Sequence, residues 1–193
     1  MHLLKLMNNN LKDNKGLTLE QFLEIYKTKN YSRPYLTADC LIYSLNEGEI
    51  YLLLIRRKGH PYINQWAIPG GFAQENEDLK QTAQRELFEE TGLNAQVTLL
   101  DIYSARNRDP RGWIVSATYY GLVDKNKVQP RGQDDAKEAQ WFQLFIKQNM
   151  ITLAADNYQI CFDSNGTYNS MEQLAFDHQK MIIDFLIKKK LIQ

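Results

Sequence analysis

Glu86, Glu89 and Glu90 fall within five residues of one another, and they are framed by Gly71, Glu77, Arg85 and Gly92. At about 100° per helical residue, the three acids share an arc of about 100° on one face. Like charges at i,i+4 destabilise a helix by roughly 0.2–0.5 kcal/mol per pair, so a purely structural helix gains nothing from this crowding. A divalent cation reverses the sign. Hard cations such as magnesium take oxygen ligands, usually one or two carboxylates together with substrate phosphates. The alternative reading is a solvated acidic face, which is the ordinary meaning of a charge run.

The elements that must position these acids are legible around them. The spacing predicts a helix from about Asp78 to Thr91, with Glu75, Glu77 and Asp78 near its positive end and Gly92 just past its C-terminus. Leu79, Ala83 and Leu87 lie beside the carboxylates on the helical wheel, so the acids stand where the helix meets an apolar layer. The Gly70-Gly71 pair before the helix lets backbone approach a ligand or ion closely.

Upstream, Tyr35 to Ser44 and Ile50 to Arg57 read as two strands joined by a short turn, and Thr18-Leu19-Glu20-Gln21 as a capping box opening an earlier helix. That helix is expected to brace the domain or make a homodimer contact, giving segments 1–34 and 35–193. Downstream, Ala95 to Tyr103 and Trp113 to Val123 read as strands, as does Glu138 to Leu144. Residues 145–150 are expected to form a helical turn, Tyr158 to Phe162 a further strand, and a last helix to start at a second capping box, Ser170-Met171-Glu172-Gln173. Its closing Lys188, Lys189 and Lys190 complement a helix C-terminus and do not imply nucleic acid.

Between the strands that end at Tyr103 and begin at Trp113 stand Arg106, Arg108 and Arg111. Guanidinium forks suit phosphate or ribosyl-phosphate oxygens, although a solvated hairpin tip would look the same. Arg57, closing the second strand, and Phe72, next to the acidic stretch, join them as candidate substrate contacts. Trp66, Phe72 and Trp113 are candidates for stacking on a base, with Phe72 favoured for its position, while His178 reads as a core or interface residue.

The 193 residues carry 23 basic and 23 acidic side chains, so no global field recruits a nucleic acid or a membrane surface. Cys40 and Cys161 lack metal-site spacing and read as buried free thiols. The apolar Leu3, Leu4, Leu6 and Met7 are too few and too broken for a signal peptide, and no 18 apolar residues run together. The expectation is a cytoplasmic protein with a small-molecule substrate and neither nucleic acid nor membrane as a partner.

Read in full, the stretch is Gly71, five residues, Glu77, seven residues, Arg85-Glu86-Leu87, one residue, Glu89-Glu90, one residue, Gly92-Leu93. It resembles the Nudix box. Seven identities would coincide by chance on the order of once in 10⁸ windows at average residue usage, so the match is specific. The resemblance implies an α/β fold, a mixed sheet sandwiched between helices, and magnesium-dependent hydrolysis of a nucleoside diphosphate derivative, with manganese as an alternative metal. Carried over by position, the metal ligands fall on Glu86, Glu89, Glu90 and the Gly71 carbonyl, with Arg85 and Glu77 as organisers. Glu138 is the first choice for the base, with Asp134, Asp135 and Glu89 as rivals.

Three further stretches resemble the ADP-ribose pyrophosphatase branch: Gln65 to Phe72, Arg108 to Gly112, and Leu174 to His178. They imply cleavage of ADP-ribose to AMP and ribose 5-phosphate. A pyrophosphatase for another, modified nucleotide is the alternative within the class. From another class, similar domains serve as ligand-sensing transcription regulators with an added winged helix, for which no room is expected after the last helix.

Overall fold

The computed structural model describes residues 11–192. The reading of Leu3 to Met7 falls outside them, as do the first residues of the polar stretch that follows. The described chain divides into two compact units, one ending at Arg33 and the other beginning at Pro34.

In the first unit, helix α1 runs Leu19–Lys27. Its capping box forms as the sequence reading expects: Thr18 Oγ1 accepts from the Gln21 N–H at 3.3 Å, and Gln21 Oε1 accepts from the Thr18 N–H at 3.0 Å. The Phe22 and Tyr26 rings, four residues apart, stack at 5.8 Å between centroids.

The second unit is built on one mixed sheet. Its strands are β1 (Tyr35–Asn46), β2 (Glu49–Arg57), β3 (Trp66–Ala67), β4 (Gly70–Phe72), β5 (Thr98–Tyr103), β6 (Ile114–Leu122), β7 (Ala136–Lys147), β8 (Met150–Ala155) and β9 (Tyr158–Asp163). The main path is β5-β6-β1-β2-β7-β8-β9, with β3 paired to β2 and β4 to β1. Among the described strands, β1 and β6 pair in parallel and the other pairs are antiparallel; the β1–β6 register aligns Asp39 with Thr118.

Helix α2 (Leu79–Thr91) covers one face of the sheet and α3 (His178–Lys188) the other. Strand alternation explains the division. Leu41, Leu52, Leu54 and Phe142 point to the α3 side and pack with Met181, Ile182 and Phe185. Ala38, Cys40, Ile42 and Leu53 point to the other side, against Ala83 and Leu87 of α2. A strand buried on both faces reads as a continuous apolar run, which is why β1 and β2 were recognisable.

The box helix keeps its expected limits. Asp78 is the N-cap, with Gln81 completing a capping box, and Gly92 ends the helix at φ 73°, the left-handed conformation that favours glycine.

Two expectations fail. Residues 145–150 form no helical turn. They close the β7–β8 hairpin, where Lys147 pairs with Met150 and Gln148 takes φ 54°. Two-residue hairpin turns need positive φ, and the turn here is Gln148-Asn149, without the glycine that would have advertised it. The box at Ser170 opens no helix either. The Ser170 hydroxyl accepts from the Cys161 N–H at 2.9 Å and donates to the Glu172 carbonyl at 2.7 Å, and α3 begins only after Phe176, which stands at φ 54°. Cys40 is buried as expected, whereas Cys161 is only half-buried.

Leu87 is fully buried between α2 and the sheet. Replacing it with alanine should destabilise the protein by about 2–5 kcal/mol, read as a lowered urea midpoint at unchanged slope. An unchanged midpoint would mean that α2 is not anchored through this residue.

Candidate active site

Glu90 is the most deeply placed acid of α2, at 3% exposed. Its Oε2 accepts from the Gly70 N–H at 2.9 Å. Burial pushes its carboxyl up to about 8, and the charge of Glu86 adds to the rise. Burial likewise raises Glu86, against the opposing pull of Arg85.

Arg85 binds the rest of the cluster. It forks onto Glu77, with Nε to Oε2 at 3.0 Å and Nη2 to Oε1 at 2.7 Å. Its Nη1 donates to Glu86 at 2.7 Å and Glu89 at 2.8 Å, and Nη2 also reaches the Phe72 carbonyl at 2.9 Å. That fork holds the Glu77 carboxyl well below the usual range.

Both glycines leave room that a side chain would take, and at Gly70 part of what a Cβ would meet is backbone, the Ala38 carbonyl at 2.6 Å. A Cβ on Gly71 would lie 2.5 Å from the Glu86 carboxyl, and one on Gly70 would lie 2.5 Å from Asp39 Oδ1. The Gly70-Gly71 backbone is therefore a thin wall with the box acids on one side and Asp39 on the other.

Beyond that wall is a small pocket of about 40 Å³ lined by Thr37, Asp39, Arg57, Ile68, Arg108, Asp109, Arg111, Phe176 and His178. Each arginine is held in place. Arg108, half-buried as a residue, forks onto Asp177 at 2.9 and 2.6 Å, and Arg111 forks onto buried Asp109, its Nη2 at 2.7 Å from Oδ2. Arg57 donates to the Pro61 carbonyl at 2.9 Å. Its guanidinium lies 5.0 Å from the Phe176 ring, and that of Arg111 lies 5.1 Å from the same ring and 4.7 Å from Phe72.

The sequence-derived site is thus partly assembled. Arg57, Arg108 and Arg111 meet at one pocket beside Gly70 and Gly71, and the Phe72 ring lies against the Arg111 guanidinium. Arg106 does not join them; it lines a neighbouring cavity of about 690 Å³ with Trp113 and Pro110.

Glu138 does not line the arginine pocket either. It shares its face of β7 with Phe142, opposite to Ala139 and Trp141, which pack on the α2 side. It pairs with Arg56 at 3.2 Å, and Arg56 also donates to the Tyr158 hydroxyl at 2.8 Å, so Glu138 is turned away from the box acids. Of its rivals, Asp135 lies near Arg57: burial and Arg111 lower the Arg57 guanidinium, and Glu90 and Asp135 oppose that fall. The loop before it is tied to the end of α2 by the Gln133 N–H, which donates to the Glu90 carbonyl at 3.1 Å.

Glu86, Glu89 and Glu90 stand on one face of α2, but their oxygens are engaged by Arg85 and the Gly70 N–H. Among the described residues no three His, Cys, Asp or Glu side chains converge on a metal-holding point.

The NUDIX domain model matches residues 34–146, more than half of the chain. The chain belongs to the Nudix family. This Nudix chain is 33% identical to an ADP-ribose pyrophosphatase of Methanocaldococcus jannaschii over 164 residues, 84% of its own length and 79% of that protein. It is 34% identical over 146 residues to an ADPR responsive transcriptional repressor of Acinetobacter baylyi, covering 73% of this chain and 57% of the repressor. Among solved structures, a MutT/nudix family protein from Enterococcus faecalis superposes with a TM-score of 0.82 at 33% identity, over 93% of this chain and 73% of that one.

Sequence reasoning did not single out Asp39, Asp109, Phe176 or Asp177, while its reading of His178 as a core residue agrees with the burial of that side chain. Asp39 carried a signal: it is a charged residue in the middle of the apolar run Leu36 to Ile42. In the fold its Oδ2 accepts from the Ser116 hydroxyl, and burial raises its carboxyl to about 6.

His178 is buried, and its Nδ1 accepts from the Ile68 N–H at 2.9 Å. Burial, reinforced by Arg108 and Arg57, lowers its pKa from 6.5 to about 3. Its stabilising contribution is therefore complete above pH 6.5 and is lost as acid protonates the unfolded chain first, between 6.5 and about 3. Relative to His178→Asn, the wild type should lose on the order of 2 kcal/mol between pH 7 and pH 5, measured by urea unfolding at each pH. A pH-independent difference would show that the imidazole is not held neutral.

Proposed function

We propose that this Nudix pyrophosphohydrolase cleaves ADP-ribose to AMP and ribose 5-phosphate, with magnesium held on the box helix. One observation carries the reading: an arginine-lined pocket and a carboxylate-bearing helix back onto the same Gly70-Gly71 wall. Guanidinium groups suited to phosphate oxygens on one face of the wall and carboxylates suited to a cation on the other support hydrolysis of a diphosphate. The named relatives agree, one being an ADP-ribose pyrophosphatase and another responsive to ADPR.

The donor set fits a hard cation. Glu90 is a carboxylate buried with a single backbone N–H as its hydrogen-bond donor, and the second acid, Glu86, is also raised by burial. Burial disfavours the charged form of both, and a cation beside them would offset that cost. Glu86, Glu89, Glu90 and the Gly71 carbonyl would hold the metal. When bound, magnesium supplies charge neutralisation on the diphosphate and a lowered pKa for the attacking water.

The remaining work belongs to side chains of this chain. Arg57, Arg108 and Arg111 bind and orient the phosphate-bearing half of the substrate, each pre-set by a carboxylate, a carbonyl or an aromatic ring. Arg85 keeps Glu86 and Glu89 from splaying away and fixes the backbone at Phe72. With Glu138 turned to the other face, Asp135 is the acid outside the box best placed to take a proton from water, because Glu89 is already paired with Arg85.

A ligand-sensing regulator is the second reading, favoured by the 34% identity to the repressor. The two separate on turnover. We expect AMP and ribose 5-phosphate from ADP-ribose when magnesium is present and neither when it is chelated. We expect Glu90→Gln to lower kcat by at least about 100-fold with an unchanged circular dichroism spectrum. Tight ADP-ribose binding without product, or full activity in Glu90→Gln, would remove the enzymatic reading.

A further inference from the structure

The floor of the arginine pocket does not have phosphate chemistry. Asp39 lies there with one oxygen, Oδ2, taken by the Ser116 hydroxyl. Its other oxygen, Oδ1, faces the place that a side chain on Gly70 would fill, 2.5 Å from the position of that missing Cβ. Across from it stands His178, whose side chain is only 5% exposed. Because Nδ1 accepts from the Ile68 N–H at 2.9 Å, the proton of the neutral ring sits on Nε2, and Nε2 is 3.7 Å from Asp39 Oδ1.

That separation is too long for a hydrogen bond between the two, and among the described residues neither atom has another hydrogen-bond partner. The pocket thus presents an acceptor and a donor side by side on two buried residues, both unused. A phosphate would meet the Asp39 carboxylate as a like charge. A hydroxyl satisfies both atoms, accepting from Nε2–H and donating to Oδ1. The room of about 40 Å³ admits groups the size of a water or a hydroxyl.

We propose that Asp39 and His178 form a hydroxyl-reading pair that recognises a free sugar hydroxyl on the group joined to the diphosphate, and so select sugar-bearing diphosphates over diphosphates without one. This rests on the cleft being the site of the proposed function, and it adds which chemical feature of the ligand the floor reads. The backbone supports the pair from both sides. Asp39 lies in the doubly buried strand β1, opposite Gly70 in the β1–β4 ladder, and His178 is the first residue of α3, next to the Arg108–Asp177 fork. Asp39 and His178 are specificity-determining residues here; neither is given a step in the bond cleavage.

Calorimetry in EDTA tests the pair without turnover, using ADP-ribose and the methyl ester of ADP, which keeps the nucleotide and diphosphate but has no sugar on the distal side. A hydrogen bond to a charged group contributes enough to set a preference of about 10- to 100-fold, so the wild type should bind ADP-ribose that much more tightly. Asp39→Asn and His178→Asn should each shrink this preference by at least about 10-fold. Asparagine at 178 keeps an acceptor for the Ile68 N–H, so loss of preference there is separable from loss of fold.

Equal binding of the two ligands by the wild type would overturn the proposal even if both variants fail to fold, and so would variants that weaken both ligands equally. Failure of the activity reading has a different appearance: ADP-ribose yields no product with magnesium while the binding preference persists.

Discussion

A carboxylate withdrawn from water must find donors or a cation, and Glu90 has one backbone N–H, that of Gly70. Much of the site follows from this constraint. The N–H is presented without a side chain in the way, and the next residue passes within contact of Glu86, so both glycines at this corner leave room that a side chain would take. The corner is held by the β1–β4 pairing, which sets Asp39 opposite Gly70 and Ala38 opposite Gly71. The helix is held by Leu87 and Ala83 packed on the sheet. The cost of that burial shows in the Glu90 carboxyl, which is pushed up to about 8.

On the other side of the wall the balance of charge is reversed, and the protein handles it differently. Three arginines crowd one pocket, and each has a fixed partner, whether Asp177, Asp109 or the Phe176 ring between Arg57 and Arg111. These partners limit the rotamer freedom that binding would otherwise remove. The segment from Leu174 to His178 supplies Phe176, Asp177 and His178 together, just before α3 turns back onto the sheet. Its strained point is Phe176, at φ 54°. A residue held in that conformation is over-determined by its surroundings, here the Tyr62 ring at 4.8 Å and two guanidinium groups.

The helix carrying the acids was legible because its signals are local: a capping residue, a periodic apolar stripe and a terminal glycine all lie within fifteen residues of sequence. The strands β1 and β2 were legible as apolar runs for the same reason. The β7–β8 hairpin was not, because its turn is made by Gln148-Asn149 without glycine, and the apparent capping box at Ser170 was misleading because its hydroxyl serves the neighbouring strand β9 instead. The direction of the Glu138 side chain was not legible for a non-local reason. Strand parity gives it to the same face of β7 as Phe142, and parity is fixed only once the strand has partners.

By itself, then, the order of residues determined the family, the helix, the acids that share its face and the arginines available for phosphate, because identity and spacing along one element are properties of the chain. Tertiary structure decided which of those groups meet. Residues 39, 70, 108 and 178 are distant in sequence and become neighbours only through the central sheet and the return of α3, so the composition of the pocket floor could not be read from spacing. The acids on α2 were expected to be held at the edge of the core. The fold sharpened this to one buried carboxylate and one backbone N–H, a contact between residues twenty positions apart.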